Sequence, residues 1–91
     1  MAEEELAERL KREKEIMDEV FKSIENLSGS ETAKEFFSMA ENYYKDSSFF
    51  FDKKDFLRSF EAIVISWSYI DAGIKAGFFS VPDTLKEYFT S

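Results

Sequence analysis

Ninety-one residues with a formal net charge of −7, no histidine and no cysteine make one domain with a single modest core. The missing residue types exclude disulfides, thiolate and imidazole metal sites, His-ligated haem and every Ser-His or Cys-His nucleophile. Twelve basic residues against 19 acidic ones make nucleic-acid phosphates and anionic membranes poor partners.

The apolar share of 44% fits a folded chain, and 11 phenylalanines are an unusually heavy load. The opening Met-Ala-Glu-Glu-Glu-Leu has neither the basic start nor the apolar run of a signal peptide. No apolar stretch approaches the ~20 residues that span a bilayer. A cytoplasmic location is expected.

Residues 2–27 contain no Gly or Pro and are dense in strong helix formers. Leu6, Leu10, Met17, Val20, Phe21, Ile24 and Leu27 form one apolar stripe, predicting a helix over 3–27. Glu3, Glu4 and Glu5 suit the positive end of its dipole. Glu5–Arg9, Glu8–Arg12 and Asp18–Lys22 stand four apart with the acid first, the favourable order for surface ion pairs. This charged face reads as a solvated surface, with a coiled-coil seam to a second copy as the other reading.

Ser28-Gly29-Ser30-Glu31 breaks the chain. Ser28 with Glu31 has capping-box spacing, and Ser30 competes as the cap. Ala33, Phe36, Phe37, Ala40, Tyr43, Tyr44, Ser47, Phe50 and Phe51 then mark a second helix over 31–51. The tetrapeptide Asp52-Lys53-Lys54-Asp55 is short enough to force an antiparallel neighbour. Asp55 is a good cap for a third helix over 55–76, striped by Phe56, Leu57, Phe60, Ile63, Val64, Trp67, Ile70, Asp71 and Ile74. Gly77 ends it. Pro82-Asp83 suits the start of a short tail helix at about 82–89.

The expected fold is all-α: an up-down-up three-helix bundle with a short C-terminal helical tail and no strand. Its expected core is Leu10, Met17, Phe21, Ile24, Phe37, Ala40, Tyr44, Phe60, Ile63, Trp67, Ile70 and Ile74.

Three segments resemble one family. AENYYKD at 40–46, FDKKDFLRSFEA at 51–62 and YIDAGIKAGFF at 69–79 are similar to the archaeal domain of unknown function 357 family. The likeness covers roughly residues 3–80. Tyr69, Asp71, Gly73 and Gly77 carry its most specific motif. Lys54 departs from it, standing where the family pattern places Gly. The resemblance implies a closed three-helix bundle and no established activity. An aromatic helical hairpin around an Asp-Lys-Lys-Asp turn also looks like a tetratricopeptide unit, but one hairpin does not make a repeat array.

Five residues stand out as structural or interaction candidates: Asp71, Tyr69, Tyr43, Phe49 and Phe51. A carboxylate near an apolar stripe is costly unless paired. Asp71 is therefore expected to bond Lys75 one turn on, or to tie the third helix to the 28–30 loop. There it would accept free N–H groups of the second helix, with Lys22, Lys34 and Lys75 as cationic partners and Tyr69 and Phe78 closing the same end. One of Tyr43 and Tyr44 faces the core. Phe49, Phe50 and Phe51 cannot share a direction; either the tail folds over the outlying ring, or it is an exposed patch for a partner or a second copy. Gly73 implies close approach of a backbone or a ring, with Tyr69 and Phe78 as candidates.

No set of residues is assigned as catalytic, cofactor-binding or metal-binding, and no cofactor is expected. Glu41, Asp46, Asp52, Asp55, Glu61 and Asp71 are not grouped at ligand spacing. The leading expectation is a non-catalytic protein-interaction or structural module, binding a protein partner or itself. The alternatives are a carboxylate-based ligand- or Mg-binding domain or enzyme, and a nucleic-acid-associated protein using Lys53, Lys54 and Arg58, whose field Asp52 and Asp55 largely cancel.

Overall fold

The computed structural model describes residues 2–89. Three long helices dominate: α1 Glu3–Ser23, α2 Glu31–Asp52 and α3 Phe56–Lys75. A one-turn α4, Asp83–Lys86, follows and runs into a 3-10 turn at Glu87–Phe89. The all-α bundle and its C-terminal helical tail are as the sequence implies.

Two expectations need correction. Helix α1 stops at Ser23 rather than 27, and the chain beyond it is extended: Ile24 has φ −65 and ψ 137. This exit forms β1, Glu25–Asn26, which pairs antiparallel with β2, Phe79–Ser80. Glu25 lies opposite Ser80 and Asn26 opposite Phe79. The Leu27 N–H donates to the Phe78 carbonyl at 2.8 Å. Two strands of two residues each carry no readable periodicity, so only the tertiary pairing defines them.

The helix ends follow local chemistry. Ser30 Oγ accepts the Ala33 N–H at 3.1 Å and caps α2. Ser28 Oγ accepts the Ser30 N–H at 3.2 Å, so it braces the cap rather than forming it. At the other end of α2, Lys54 takes φ 61. The Lys54 N–H reaches the Phe51 carbonyl at 2.9 Å and the Asp55 N–H reaches the Phe50 carbonyl at 2.9 Å. This double closure needs a left-handed residue and normally selects glycine. Asp55 then caps α3 by accepting the Arg58 N–H at 3.3 Å. Gly77, with φ 79, ends α3 by the same device.

Helices α2 and α3 meet along small side chains. Ala33, Ala40 and Ser47 recur every seven residues on α2, and Ser59, Ser66 and Gly73 do so on α3; all six are buried. Ser47 Oγ donates to the Ser59 carbonyl at 2.8 Å, and Ser59 Oγ donates to the Ser47 carbonyl at 2.8 Å. Ser66 Oγ donates to the Ala40 carbonyl at 2.7 Å. These bonds fix an antiparallel register and satisfy hydroxyls that are otherwise costly to bury. Small side chains let the two backbones approach, so large rings are displaced to the flanks.

That displacement explains the core. Leu10, Met17, Ala40, Ile63 and Ile70 are buried as expected. Phe21, Ile24, Phe37, Tyr44, Phe60, Trp67 and Ile74 are only partly buried and pack around them. Phe79, Val81 and Phe89 enter the core from beyond α3. The neighbour that Gly73 admits is Phe79, rather than Tyr69 or Phe78: a Cβ on Gly73 would overlap the Phe79 ring.

Two substitutions test these local accounts by calorimetry or chemical denaturation. Gly73→Ala is expected to cost about 1–3 kcal/mol through overpacking against Phe79, although alanine in an open helix gains about 1 kcal/mol over glycine. Lys54→Gly is expected to stabilise by about 1 kcal/mol by relieving the left-handed position, raising Tm by about 4–8 °C in a domain of this size.

Candidate functional site

The helix α2 is built on a seven-residue repeat of one small and two adjacent aromatic residues. Ala33, Ala40 and Ser47 face α3, while Phe36-Phe37, Tyr43-Tyr44 and Phe50-Phe51 stand to either side of that seam. Adjacent helical residues point about 100° apart. Each pair therefore sends one ring to each flank.

The flank of Phe37, Tyr44 and Phe51 faces α1. Phe21 packs against Phe37 and Tyr44 with ring centroids 6.0 and 5.3 Å away. The Tyr44 hydroxyl donates to Asp18 Oδ1 and lies 3.3 Å from the Lys14 carbonyl. Lys14 Nζ sits 4.5 Å over the Phe51 ring, a cation–π contact. Asp18 is thus engaged by Tyr44 instead of the expected Lys22, which meets Glu19 at 3.8 Å. Arg9 turns to Glu13 at 3.8 Å rather than to Glu5.

The opposite flank of Phe36, Tyr43 and Phe50 has a different surround. Tyr43 stacks on Tyr69 at 6.3 Å and 14°, and Phe36 meets Tyr69 edge-on at 5.5 Å. Phe78 closes on Phe36 at 5.4 Å. The Arg58 guanidinium lies 5.8 Å from the Phe50 ring centre. In these ring contacts the partners come from α3 and the chain just after it. Phe36, Ile65, Ser68, Tyr69 and Ala72 line an open groove of about 220 Å³ on this side.

The structure brings two of the five candidates together, Tyr43 and Tyr69, on this open flank. Phe51 belongs to the opposite, α1-covered flank. Phe49 is 57% exposed at the hairpin tip, stacked edge-on against Phe50 at 5.5 Å with Lys53 Nζ 5.6 Å over it. The tail does not fold over it. It packs instead on Trp67, whose ring meets Phe89 at 5.4 Å and whose Nε1–H donates to the Tyr88 carbonyl at 3.1 Å. Phe36, Phe50 and Ile65 complete the flank and were not singled out by sequence reasoning. The seven-residue repeat of α2 was the signal that could have found Phe36 and Phe50.

Asp71 serves its own helix. Lys75 Nζ donates to Asp71 Oδ2 at 2.9 Å, while Asp71 Oδ1 is buried with no hydrogen-bond donor. The expected bond to the start of α2 does not form, because Ser30 already caps that end. Lys34, another expected partner, meets Glu31 at 3.9 Å.

A larger cleft of about 690 Å³ lies between α1, α3 and the tail, lined by Glu5, Glu8, Arg9, Arg12, Glu13, Ile16, Trp67 and Tyr88. Its charges are of mixed sign and set along one exposed helix face. Among the described residues no group of three or more acids stands close enough to hold a metal ion.

Tyr44 is the one core hydroxyl with strong pH consequences. Burial, then the bond and charge of Asp18, raise its pKa above the ordinary 10.0. A phenol with a raised folded pKa contributes stability that is fully present below pH 10.0 and lost as pH climbs through the folded value. Alkaline unfolding is therefore expected to steepen above about pH 10, and Tyr44→Phe is expected to flatten that slope. The same variant is expected to lose about 1.5–3 kcal/mol at neutral pH with the charged hydrogen bond. Denaturation curves at several pH values measure both.

Comparison with known proteins adds kinship. The family model described as "Protein of unknown function (DUF357)" matches residues 7–79. The crystal structure of protein AF1782 from Archaeoglobus fulgidus, under the same family model, is similar with a TM-score of 0.77 and 29% identity. The match covers 90% of this chain and 100% of that one. No curated protein matches. Both helices of the hairpin, α1 from residue 7 onward and the first residue of β2 fall within the matched span, and α4 falls outside it. The chain belongs to the DUF357 family, an uncharacterised family of proteins.

Proposed function

We propose that this chain is a non-catalytic, cytoplasmic interaction module that presents the flank of Phe36, Tyr43, Phe50, Ile65 and Tyr69 to a protein. One observation carries the reading. The aromatic repeat of α2 has two equivalent flanks, and α1 covers only one of them. The covered flank shows what such a ladder holds: an amphipathic helix with an aromatic at its centre and an acid for the tyrosine hydroxyl. On the open flank Ile65 is 38% exposed and Ala72 is exposed. Phe36, Tyr43, Phe50 and Tyr69 are half-buried, and an apolar groove left open beside them is the kind of surface that contact sites use. No described helix is long and apolar enough to cross a membrane.

Site-specific photo-crosslinking in cells tests the proposal. A photoreactive residue at Ala72 is expected to form a protein adduct, and one at Glu15, on the exposed side of α1, is expected to form none. Absence of any adduct at Ala72 contradicts the reading. A localised NMR shift on Mg²⁺ addition at Glu41, Asp46 or Glu61 would favour a carboxylate-based ligand site instead.

A further inference from the structure

We infer that the C-terminal tail, residues 82–89, is a strap that closes over the groove between α1 and α3 and opens as a unit of its own while the three long helices stay folded. Its catch is the indole of Trp67.

The hinge is set by what lies before the tail. The antiparallel pairing of β1 with β2 ends at Ser80. Val81 is buried and Pro82 is exposed, so the chain leaves the core between them and returns to it at Phe89. Pro82 has φ −58 and ψ 154 and gives α4 no side-chain cap. A residue before proline is held extended, which fixes the direction in which the strap departs. The strap lies beyond residue 79, where the family match ends.

The strap itself is weakly built. Helix α4 has four residues, none of them buried, and its 3-10 continuation has three. A helix this short does not persist alone in water. The Leu85 N–H bond to the Pro82 carbonyl, 2.9 Å, and the Lys86–Asp83 ion pair, 2.8 Å, are internal to the strap. They give it shape without tying it to the bundle.

Closure is concentrated at one point. Trp67 Nε1–H donates to the Tyr88 carbonyl at 3.1 Å. The Phe89 ring lies 5.4 Å from the indole, and Tyr88 meets it edge-on at 6.2 Å. Phe89 is buried, and half-buried Leu85 packs on the core one turn before it. A segment held by few apolar contacts opens at a lower free energy than the core it rests on. Once Phe89 lifts off, the short helix loses its support, so closing and folding of the strap are one event.

Opening has a defined consequence. Trp67 and Tyr88 are walls of the cleft of about 690 Å³ that faces α1. With the strap off, the cleft loses its Tyr88 wall and joins the space that Phe89 filled. The strap therefore sets how much of the α1–α3 groove is exposed.

Trp67 is the sole tryptophan, so its selectively excited emission senses the strap, while far-UV circular dichroism reads the helices. In a urea titration of the full chain, the Trp67 emission is expected to shift to the red before the helical signal falls. Phe89→Ala is expected to raise the open population at least about tenfold, bringing the emission shift to lower urea while the three long helices are retained. Leu85→Ala tests the strap as a unit, because it leaves Tyr88 and Phe89 in place; it too is expected to bring the emission shift to lower urea. Coincident emission and helical transitions in the wild-type chain overturn the inference. So does a Phe89→Ala chain that loses its helical signal together with the emission shift, and so does a Leu85→Ala chain whose emission transition does not move.

Discussion

The close contact between α2 and α3 governs this structure. Two reciprocal serine-to-carbonyl bonds, Ser47 with Ser59, and one more from Ser66 to Ala40 hold two backbones across a seam of small side chains. A hydroxyl buried without a partner would cost several kcal/mol on a hydrocarbon scale. Here every hydroxyl on the seam has a carbonyl acceptor. The seam excludes large side chains, so the phenylalanines and tyrosines of α2 stand on either side of it. Much of the heavy aromatic content of this small chain follows from that one constraint. One flank receives α1 through Phe21, Asp18 and Lys14; the other is left to Tyr69, Phe78 and Arg58.

Local chemistry made most of the fold legible. The Asp55 cap, the polar turn at 52–55 and the glycine at 77 act within a few residues, and each is found where the sequence places it; of the two competing caps for α2, Ser30 takes the role. Lys54 departs from the family pattern at a position where the chain does require a left-handed residue. What was not legible depends on partners distant in sequence. Residues 24–27 continue the apolar stripe of the first helix, but the backbone of 25–27 pairs with residues 78–80 instead. Ser59 and Ser66 lie off the apolar stripe of the third helix, and only the packing of α2 places Ser47 and Ala40 opposite them. Of the two expectations for Asp71, the bond to Lys75 one turn on forms, and the tie to the first loop does not, because Ser30 already fills that role at α2.

The open flank of α2 was half legible for the same reason. Tyr43 and Tyr69 were singled out, and they stack on each other. Phe49 and Phe51 were singled out as neighbours of Phe50, but consecutive helical residues diverge, and only Phe50 shares a flank with Tyr43. A reading by sevens rather than by stripe would have separated the two ladders. Membership of the DUF357 family supplies the fold and no activity. What distinguishes the two ladders of α2 is coverage: α1 lies over Phe37, Tyr44 and Phe51 and not over Phe36, Tyr43 and Phe50.

The unfolding free energy of Ala40→Leu tests the account most directly. Ala40 is fully buried at the middle of the seam, opposite Ser66. If the seam must stay narrow, the larger side chain forces α2 and α3 apart and costs about 1–3 kcal/mol or more by overpacking. If the helices can accept it, the added buried apolar surface stabilises by roughly 0.8 kcal/mol per methylene. A destabilised chain with the Ser47–Ser59 exchange weakened is the predicted result. Unchanged or increased stability would contradict the claim that small side chains at the seam set the structure.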